Sequence, residues 1–451
     1  MTRALAIVIL AAGKGTRMKS KKPKVLHELA GFPMLGHVIR AMESAAPQKL
    51  ILVLSPGRED VVEAARGWVA DPAMIAHAVQ DPPQGTGHAV MVARDHFETF
   101  DGDVLVTFGD TPLVTAETVA AMIAARDGGA DIVVSGFRAT GDHMYGRLVT
   151  DADGALQAIV EHKDADAQTR LIDLCNGGLM LIAGDKIGGL LDQLTTDNAQ
   201  GEYYLTDIVA HARAEGLICA VAECPYEDVL GINARTELAA AEAILQDRLR
   251  AAAMAGGATL IDPQSVFLST DTVLGRDVLV EPNVVFGPGV TVGDDVTIRA
   301  FSHLEGATLE AGVTVGPYAR LRPGAVLEEG ARIGNFVEVK KSRLGKGAKA
   351  NHLAYLGDAD IGAGANIGAG TITCNYDGFD KHKTVVGENS FVGSNSTLVA
   401  PVEIEKDAFV AAGSTITKTI KSGALGLGRA RQSEIAGWVT RFRDRKDRKK
   451  S

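Results

Sequence analysis

Two glycines and two basic residues near the amino terminus have the types and spacing to hold a phosphate chain. In Leu10-Ala11-Ala12-Gly13-Lys14-Gly15-Thr16-Arg17-Met18, Gly13 and Gly15 let backbone N–H groups approach an anion, and Arg17 and the later Lys24 can neutralise it. The spacing lacks the GxGxxG of a dinucleotide fold and the GKS/T ending of a P-loop, so the glycines alone are a weak signal. A second group is Phe108-Gly109-Asp110-Thr111-Pro112-Leu113, which ends the apolar run DVLVTFGD. Ligands of open α/β sheets bind at such strand ends. A third group lies far along the chain: His352 and Tyr355 within Asn351–Asp358, with Arg320, Arg322, Lys340, Lys341 and Asn366 near it in the pattern. A neutral imidazole near physiological pH can take the proton from an attacking nucleophile, which makes His352 the candidate general base. A lone histidine is commonly a solvated surface residue; several polar residues recurring at neighbouring positions set this one apart.

The elements that position these residues follow two different periods. Up to about residue 235, short apolar runs (ALAIVIL, KLILVLS, DVLVTFGD, DIVVSGF) alternate with stretches of helical spacing such as AETVAAMIAARDGG. Strands alternating with helices predict a Rossmann-like α/β unit with a mostly parallel sheet covered on both faces. Residues 236–255 are rich in Ala, Leu, Glu and Arg and end at Gly256-Gly257, which predicts a long helix. It sits where the period changes, so it reads as a connector.

Beyond residue 262 an aliphatic or aromatic residue recurs at every sixth position, from Leu268 and Leu274 through Val280, Phe286, Val292, Ile298 and Leu304. One position is dropped before Leu309 and further positions before Leu344 and Ile361; after an insertion the series returns at Val386 and runs to Ile416. A period of six fits a parallel β-helix, in which each hexapeptide forms one wall and three close a coil. The non-repeating stretch Thr373–Thr384 then reads as a loop leaving the coil, a candidate binding element. The expected organisation is 1–235, a helical linker 236–257, and a β-helix unit 258–451.

Composition narrows the class. With 451 residues, two or three domains are expected. A net charge of −10 argues against a general nucleic-acid binder. No apolar run approaches the ~18 residues of a membrane span, and Met1 to Leu10 lacks a small-residue cleavage site. Four cysteines without CxxC spacing read as reduced thiols, so the expected location is cytoplasmic. The stretch Arg441–Ser451, with seven basic and two acidic residues, reads as a solvated, disordered tail.

The full string LAAGKGTRM followed by Pro23-Lys24 resembles the signature of sugar nucleotidyltransferases. That resemblance implies a UTP site made by Leu10, Ala11, Ala12, Gly13, Phe108 and Gly109, with Gln80, Gly85 and Thr86 in the uridine-reading segment. It further implies that Asp110 and Asn233 hold Mg²⁺, and that Gly146, Glu161 and Asn176 contact the sugar. A sugar 1-phosphate is already an anion and can attack the α-phosphorus of UTP unaided. Arg17 and Lys24, with the metal, would then act by charge and positioning.

The hexapeptide series resembles the left-handed β-helix of the hexapeptide acyltransferases, an exception to right-handed crossovers. In combination, LAAGKGTRM, QGTGHA, NAQGEYYLTD, ARLRPGA, GNFVEVKKSRLGKG and NIGAGTITCNYDG are similar, across almost the whole chain, to one family. It is that of the bacterial bifunctional N-acetylglucosamine-1-phosphate uridyltransferases/glucosamine-1-phosphate N-acetyltransferases. The resemblance implies synthesis of UDP-N-acetylglucosamine for peptidoglycan and lipopolysaccharide precursors. It implies a homotrimer with acetyl-CoA between neighbouring β-helices, and His352 as the base for acetyl transfer. Arg322 and Lys340 would bind the phosphate of glucosamine 1-phosphate, Tyr355 and Asn366 the sugar. Ala369, Asn375, Tyr376, Ser394, Ala412 and Arg429 would lie at acetyl-CoA. Phe108 often stands as Tyr in the family, and Asp81-Pro82-Pro83 is another local departure.

Three other readings compete on sequence alone. A single-activity pyrophosphorylase could use its β-helix only for assembly, a reading that His352, Tyr355 and the CNYDG segment disfavour. A non-enzymatic sugar-nucleotide scaffold would not need the Asp110/Asn233 pair. A metal hydratase would need several inward histidines that the coils lack.

Overall fold

A computed structural model describes residues 3–139 and 143–449. Within it the chain forms two compact units, residues 1–248 and 249–451.

The first unit is built on strands β1 (Leu5–Leu10), β2 (Lys49–Leu54), β3 (Ile75–Val79), β4 (Asp103–Phe108), β5 (Ile132–Arg138), β6 (Arg147–Thr150), β7 (Leu156–Val160), β8 (Leu174–Ala183) and β9 (Cys219–Glu223). Their order is β9-β5-β8-β4-β1-β2-β3, with β6 joined to β8 and β7. The strands β3, β2, β1 and β4 are parallel neighbours, whereas β8 runs antiparallel to both β4 and β5. The sheet is therefore mixed at one side and parallel at the other. Every residue of β1 is buried, which is why its sequence is continuously apolar. Ala6 and Val8 pack into a cluster with Val90, Ile187 and Ile208; Ile7 and Ile9 pack into another with Leu35, Val62 and Met122. Helices thus cover both faces.

The helix predicted from residue 236 runs over Arg235–Ala255. The change of unit falls inside it, after Arg248, rather than at either end. Arg248 donates to Leu113 O and Asp228 Oδ1, both at 2.8 Å, whereas two residues later Arg250 donates to Val266 O at 3.2 Å.

The second unit is a parallel β-helix whose walls are three parallel sheets of ten, eight and eight short strands. In one wall the inward residues Val280, Ile298, Val315, Ile333, Ala350 and Ile367 are register partners in succession, and all are buried. Such stacked aliphatics form one continuous core, and truncating one to Ala costs about 2–5 kcal/mol. Ala350 and Leu356, at six-residue steps from Leu344, and Ile367 and Thr373, at six-residue steps from Ile361, also point inward and are buried. Thr373 is tolerated inside because its hydroxyl accepts from Gly357 N at 2.8 Å and donates to Gly357 O at 3.1 Å.

Two expectations are corrected. Thr373, Cys374 and Thr384 lie in strands Ile372–Cys374 and Thr384–Val386, so the excursion spans only 375–383. An antiparallel bridge between Tyr376 and Lys381 closes it. Asp377 braces it, accepting from Phe379 N at 2.9 Å, Asp380 N at 2.7 Å and His382 Nε2 at 2.7 Å. The tail is not disordered over its described part: Trp438–Asp447 is an exposed α-helix. Its sequence places Trp438 and Phe442 four residues apart, where the rings stack at 5.0 Å.

Candidate functional sites

The carboxyl ends of β1 and β4 lie side by side, tied by Gly109 N donating to Leu10 O at 2.9 Å. At this end the chain leaves β1 through the glycine turn, and a cleft of about 300 Å³ opens. Its lining includes the expected Leu10, Ala11, Ala12, Gly13, Lys24, Gln80, Gly85, Thr86, Phe108 and Asp110. Gly15 adopts φ +58°, and a Cβ there would come within 2.6 Å of Lys24 Cβ. The turn therefore requires glycine both for its backbone and to let Lys24 pass beneath it.

That passage delivers the Lys24 ammonium to two oxygens. It pairs with the Asp110 carboxylate and donates to Asn233 Oδ1 at 3.1 Å. Asp110 and Asn233, 123 positions apart in the sequence, thus converge on one cation. Asn233 is held by the helix that follows it, since the Glu237 carboxylate accepts from the backbone N–H groups of Asn233 and Ala234. A carboxylate and an amide oxygen are hard donors of the kind Mg²⁺ takes in small number, with phosphate and water supplying the rest. Among the described residues no cluster of three or more His, Cys, Asp or Glu could hold a metal. Asp110 and Asn233 are two oxygen donors of a kind that fits a divalent cation shared with phosphate. Arg17 stands apart, exposed on the single turn Thr16–Met18 and outside the residues that line the cleft.

The expected sugar-contacting residues are gathered by β6, β7 and β8. Asn176 N donates to Gly146 O at 2.9 Å, and a Cβ on Gly146 would stand 3.5 Å from Glu161 Oε2. Gly178 N donates to Asn176 Oδ1 at 2.9 Å, and a Cβ on Gly178 would lie 3.0 Å from the Phe108 ring. This links the sugar segments to the end of β4. Glu161 accepts from Thr206 Oγ1 at 3.2 Å, and burial pushes its carboxyl above the usual range.

In the β-helix, His352 occupies the corner between two walls. It is exposed, and its Nδ1 lies 2.7 Å from Asn335 Oδ1. The amide oxygen can only accept, so Nδ1 carries the proton, and in the neutral ring the lone pair then lies on Nε2. Asn335 is the residue that reading by motif missed. The signal was present, because Asn335 precedes His352 by the 17 residues of one coil.

Corner positions repeat two residues beyond each inward aliphatic of the same wall. Ile333, Ala350, Ile367, Val392 and Val410 are successive register partners, so Asn335, His352, Ala369, Ser394 and Ala412 form one column. Asn395 N donates to Ala369 O at 2.7 Å and Gly413 N to Ser394 O at 2.8 Å, tying that column together. A Cβ on Gly413 would stand 4.0 Å from Arg429 Cδ, which places Arg429 beyond Ala412.

On the adjoining wall, Arg322 follows the strand Arg320–Leu321 and Lys340 ends the strand Glu338–Lys340. Arg322 Nη1 donates to Glu338 Oε1 at 2.8 Å, and Lys340 has Lys381 of the excursion beside it. The neighbouring ammonium, with a smaller effect from Arg322, holds the Lys340 pKa below its ordinary value. Three cations, of which only Arg322 has a carboxylate bonded to it among the described residues, leave a net positive charge that suits a phosphate dianion. Tyr355 lies on the same wall, in register with Glu338, and its hydroxyl reaches over Gly357. Asn375 roots the excursion, its amide donating to the Asp358 carboxylate, and Tyr376 beside it is 59% exposed. Asn366 is on the other wall, in register with Lys349. A corner thus stands between its strand and that of Tyr355.

Known proteins match each unit. Residues 7–187 match the MobA-like NTP transferase domain. Residues 271–306 match the bacterial transferase hexapeptide (six repeats), and residues 383–418 the hexapeptide repeat of succinyl-transferase. The chain is a bifunctional enzyme, a nucleotidyltransferase joined to a hexapeptide acyltransferase. It is 52% identical over 449 residues to the bifunctional protein GlmU of Paramagnetospirillum magneticum, covering 99% of this chain and 98% of the relative. The bifunctional protein GlmU of Sphingopyxis alaskensis is 54% identical over 454 residues, covering 100% and 99%. That of Parvibaculum lavamentivorans is 53% identical over 451 residues, with the same coverage. The chain belongs to the GlmU family, with a uridyltransferase and an acetyltransferase activity.

Proposed function

We propose that the chain acetylates glucosamine 1-phosphate with acetyl-CoA and then joins UMP from UTP to the resulting N-acetylglucosamine 1-phosphate, releasing pyrophosphate. The observation that carries the second step is the convergence of Lys24, Asp110 and Asn233 beside the glycine turn. In that step the sugar phosphate oxygen forms a bond to the α-phosphorus as the bond to pyrophosphate breaks. Lys24 would bind the phosphate chain, and Asp110 and Asn233 would hold Mg²⁺. The metal supplies charge neutralisation for the phosphates. Glu161, Asn176 and Gly146 hold the sugar, and Arg17, exposed outside the cleft lining, adds positive charge toward the phosphates.

In the first step the sugar amine attacks the thioester carbonyl, His352 Nε2 receives its proton, and the CoA thiolate leaves. Arg322 and Lys340 hold the sugar phosphate and Tyr355 the sugar, with Asn366 reaching them from across the corner. Acetyl-CoA lies along the column of Ala369, Ser394 and Ala412, with Arg429 at its far end and Asn375 and Tyr376 beside the acetyl group. The exposure of His352 and Tyr376 supports a homotrimer in which a neighbouring copy completes this site. The absence of a helix long and apolar enough to cross a membrane, among the described residues, accords with work in the cytoplasm.

The test is one assay of purified protein with glucosamine 1-phosphate, acetyl-CoA, UTP and Mg²⁺, each omitted in turn. CoA release should need only the first two. Nucleotide-sugar formation should need all four, and supplied N-acetylglucosamine 1-phosphate should replace the acetyl donor. CoA release that depends on UTP, or nucleotide-sugar formation without a divalent metal, would overturn the scheme. Sedimentation of the same preparation as a monomer would overturn the shared acetyl site.

A further inference from the structure

Gln80 is 5% exposed and lines the nucleotide cleft, yet its amide is oriented by the protein. Its Nε2 stands 2.9 Å from Gly85 O and 3.3 Å from His88 Nδ1. The Gly85 carbonyl can only accept, so the atom facing it must be the amide nitrogen. The second amide hydrogen then faces His88 Nδ1, which must carry a lone pair. Both hydrogens of the Gln80 amide are consumed inside the protein. Among the described residues nothing donates to Oε1, so the group that Gln80 offers to the cleft is a hydrogen-bond acceptor.

The frame around this pair is rigid. Gly85 adopts φ +103°, and a Cβ on it would come within 2.5 Å of Tyr203 O. Tyr203 N donates to Gln84 O at 2.9 Å and Gly87 N donates to Tyr203 O at 2.8 Å, so the segment on both sides of Gly85 is fastened to one backbone. His88 follows in the helix Thr86–Met91, with its ring 6.4 Å from that of Tyr203.

We propose that His88 is a positioning residue for nucleobase choice: its Nδ1 lone pair fixes the Gln80 amide with the carbonyl oxygen facing the base. An acceptor aimed at the pairing edge favours uracil, whose N3 carries a hydrogen, over cytosine, whose N3 is itself an acceptor. Two acceptors face to face leave both unpaired, which is how a buried polar group discriminates most strongly. This rests on the uridyl-transfer reading above. His88 itself does not touch the reacting atoms.

The test compares wild type, His88→Phe and His88→Asn, measuring kcat and KM for UTP and for CTP with N-acetylglucosamine 1-phosphate. Phe keeps ring volume without an acceptor; Asn places its Oδ1 near the position of Nδ1. His88→Phe should raise the KM for UTP about tenfold, as expected when a buried donor loses its acceptor, with kcat nearly unchanged. CTP should suffer less, so the preference for UTP narrows. His88→Asn should restore both the KM and the preference. CoA release from glucosamine 1-phosphate and acetyl-CoA reports that each variant is folded. A His88→Phe enzyme with the wild-type UTP preference would overturn the proposal. So would equal losses in both variants, which describe a merely structural histidine. If His88→Phe does not fold, an Asn variant with a narrowed preference overturns it alone. Wild-type protein that uses neither nucleotide would instead remove the uridyl-transfer reading, a separate result.

Discussion

Asn335 and His352 are register partners in successive coils of the β-helix, with Asn335 Oδ1 2.7 Å from His352 Nδ1. The coil itself thus supplies the group that selects the imidazole tautomer. Replacing His352 by Ala should lower acetyl transfer by ~10²–10⁴-fold, as expected for loss of a general base. Asn335→Ala should lower it less, about tenfold, because the base remains and only one orienting hydrogen bond is lost. Uridyl transfer from supplied N-acetylglucosamine 1-phosphate should be unchanged in both. Near-normal CoA release from an intact His352→Ala protein would end the case for that residue.

Asp110→Ala should abolish Mg²⁺-dependent nucleotide-sugar formation while CoA release continues. The carboxylate is half of an oxygen pair now occupied by the Lys24 ammonium. A metal titration followed by calorimetry should show the divalent site weakened in the same variant. Wild-type uridyl transfer would take Asp110 out of the mechanism.

Glu161 gives a prediction in pH. Burial raises its carboxyl above the ordinary range, so the folded chain binds the proton more tightly than the unfolded chain. The ionised form therefore subtracts stability at neutral pH. That deficit vanishes once the pH falls below the unfolded-chain value of about 4. Glu161→Gln should raise the melting temperature of the first unit at pH 7, with the difference lost on acidification. It should also raise the KM for the sugar phosphate. A variant that melts lower than wild type at pH 7 would contradict the assignment of burial as the dominant effect.

The helix Arg235–Ala255 sets where the chain can be cut. A fragment ending at Arg248 keeps Glu237 against Asn233 and Arg248 against Asp228, and should retain uridyl transfer. A fragment ending at Ala234 loses both and should fail to make UDP-N-acetylglucosamine even if it folds, which circular dichroism would report. Equal activity in the two fragments would show that Asn233 needs no support from the helix.

Much of this arrangement was legible in the sequence because it depends on local pattern. Continuous apolar runs named the buried strands, and the period of six named the coils. Coils shortened by one residue carried Ala350 and Thr373 in the inward place, and neither is aliphatic enough to be counted. The partnership of His88 with Gln80 was hidden for a different reason. It depends on which way one amide faces, and spacing carries no information about orientation. For Asn366 the string gave nearness in the coil but not the wall, and its strand is parted from that of Tyr355 by a corner. The tail misled because its charge suggested disorder, while the Trp438–Phe442 pair supports a helix.

The column that begins at Asn335 and His352 also makes the β-helix a ruler. Ala369, Ser394 and Ala412 stand one, two and three coils beyond His352. At the ~4.7–4.9 Å spacing of paired strands, they lie about 5, 10 and 14 Å from the histidine's coil. On the function proposed above, a donor laid along this ridge would have its length gauged in whole coils, with the reactive end at His352 and the tail at Arg429. Inserting one complete coil between Ser394 and Ala412 would keep the walls and corners on either side, and the new coil would take up the inward contacts that Val392 and Val410 now make with each other. It would move only the far mark on the scale, separating the grip on the donor's tail from the chemistry at its head.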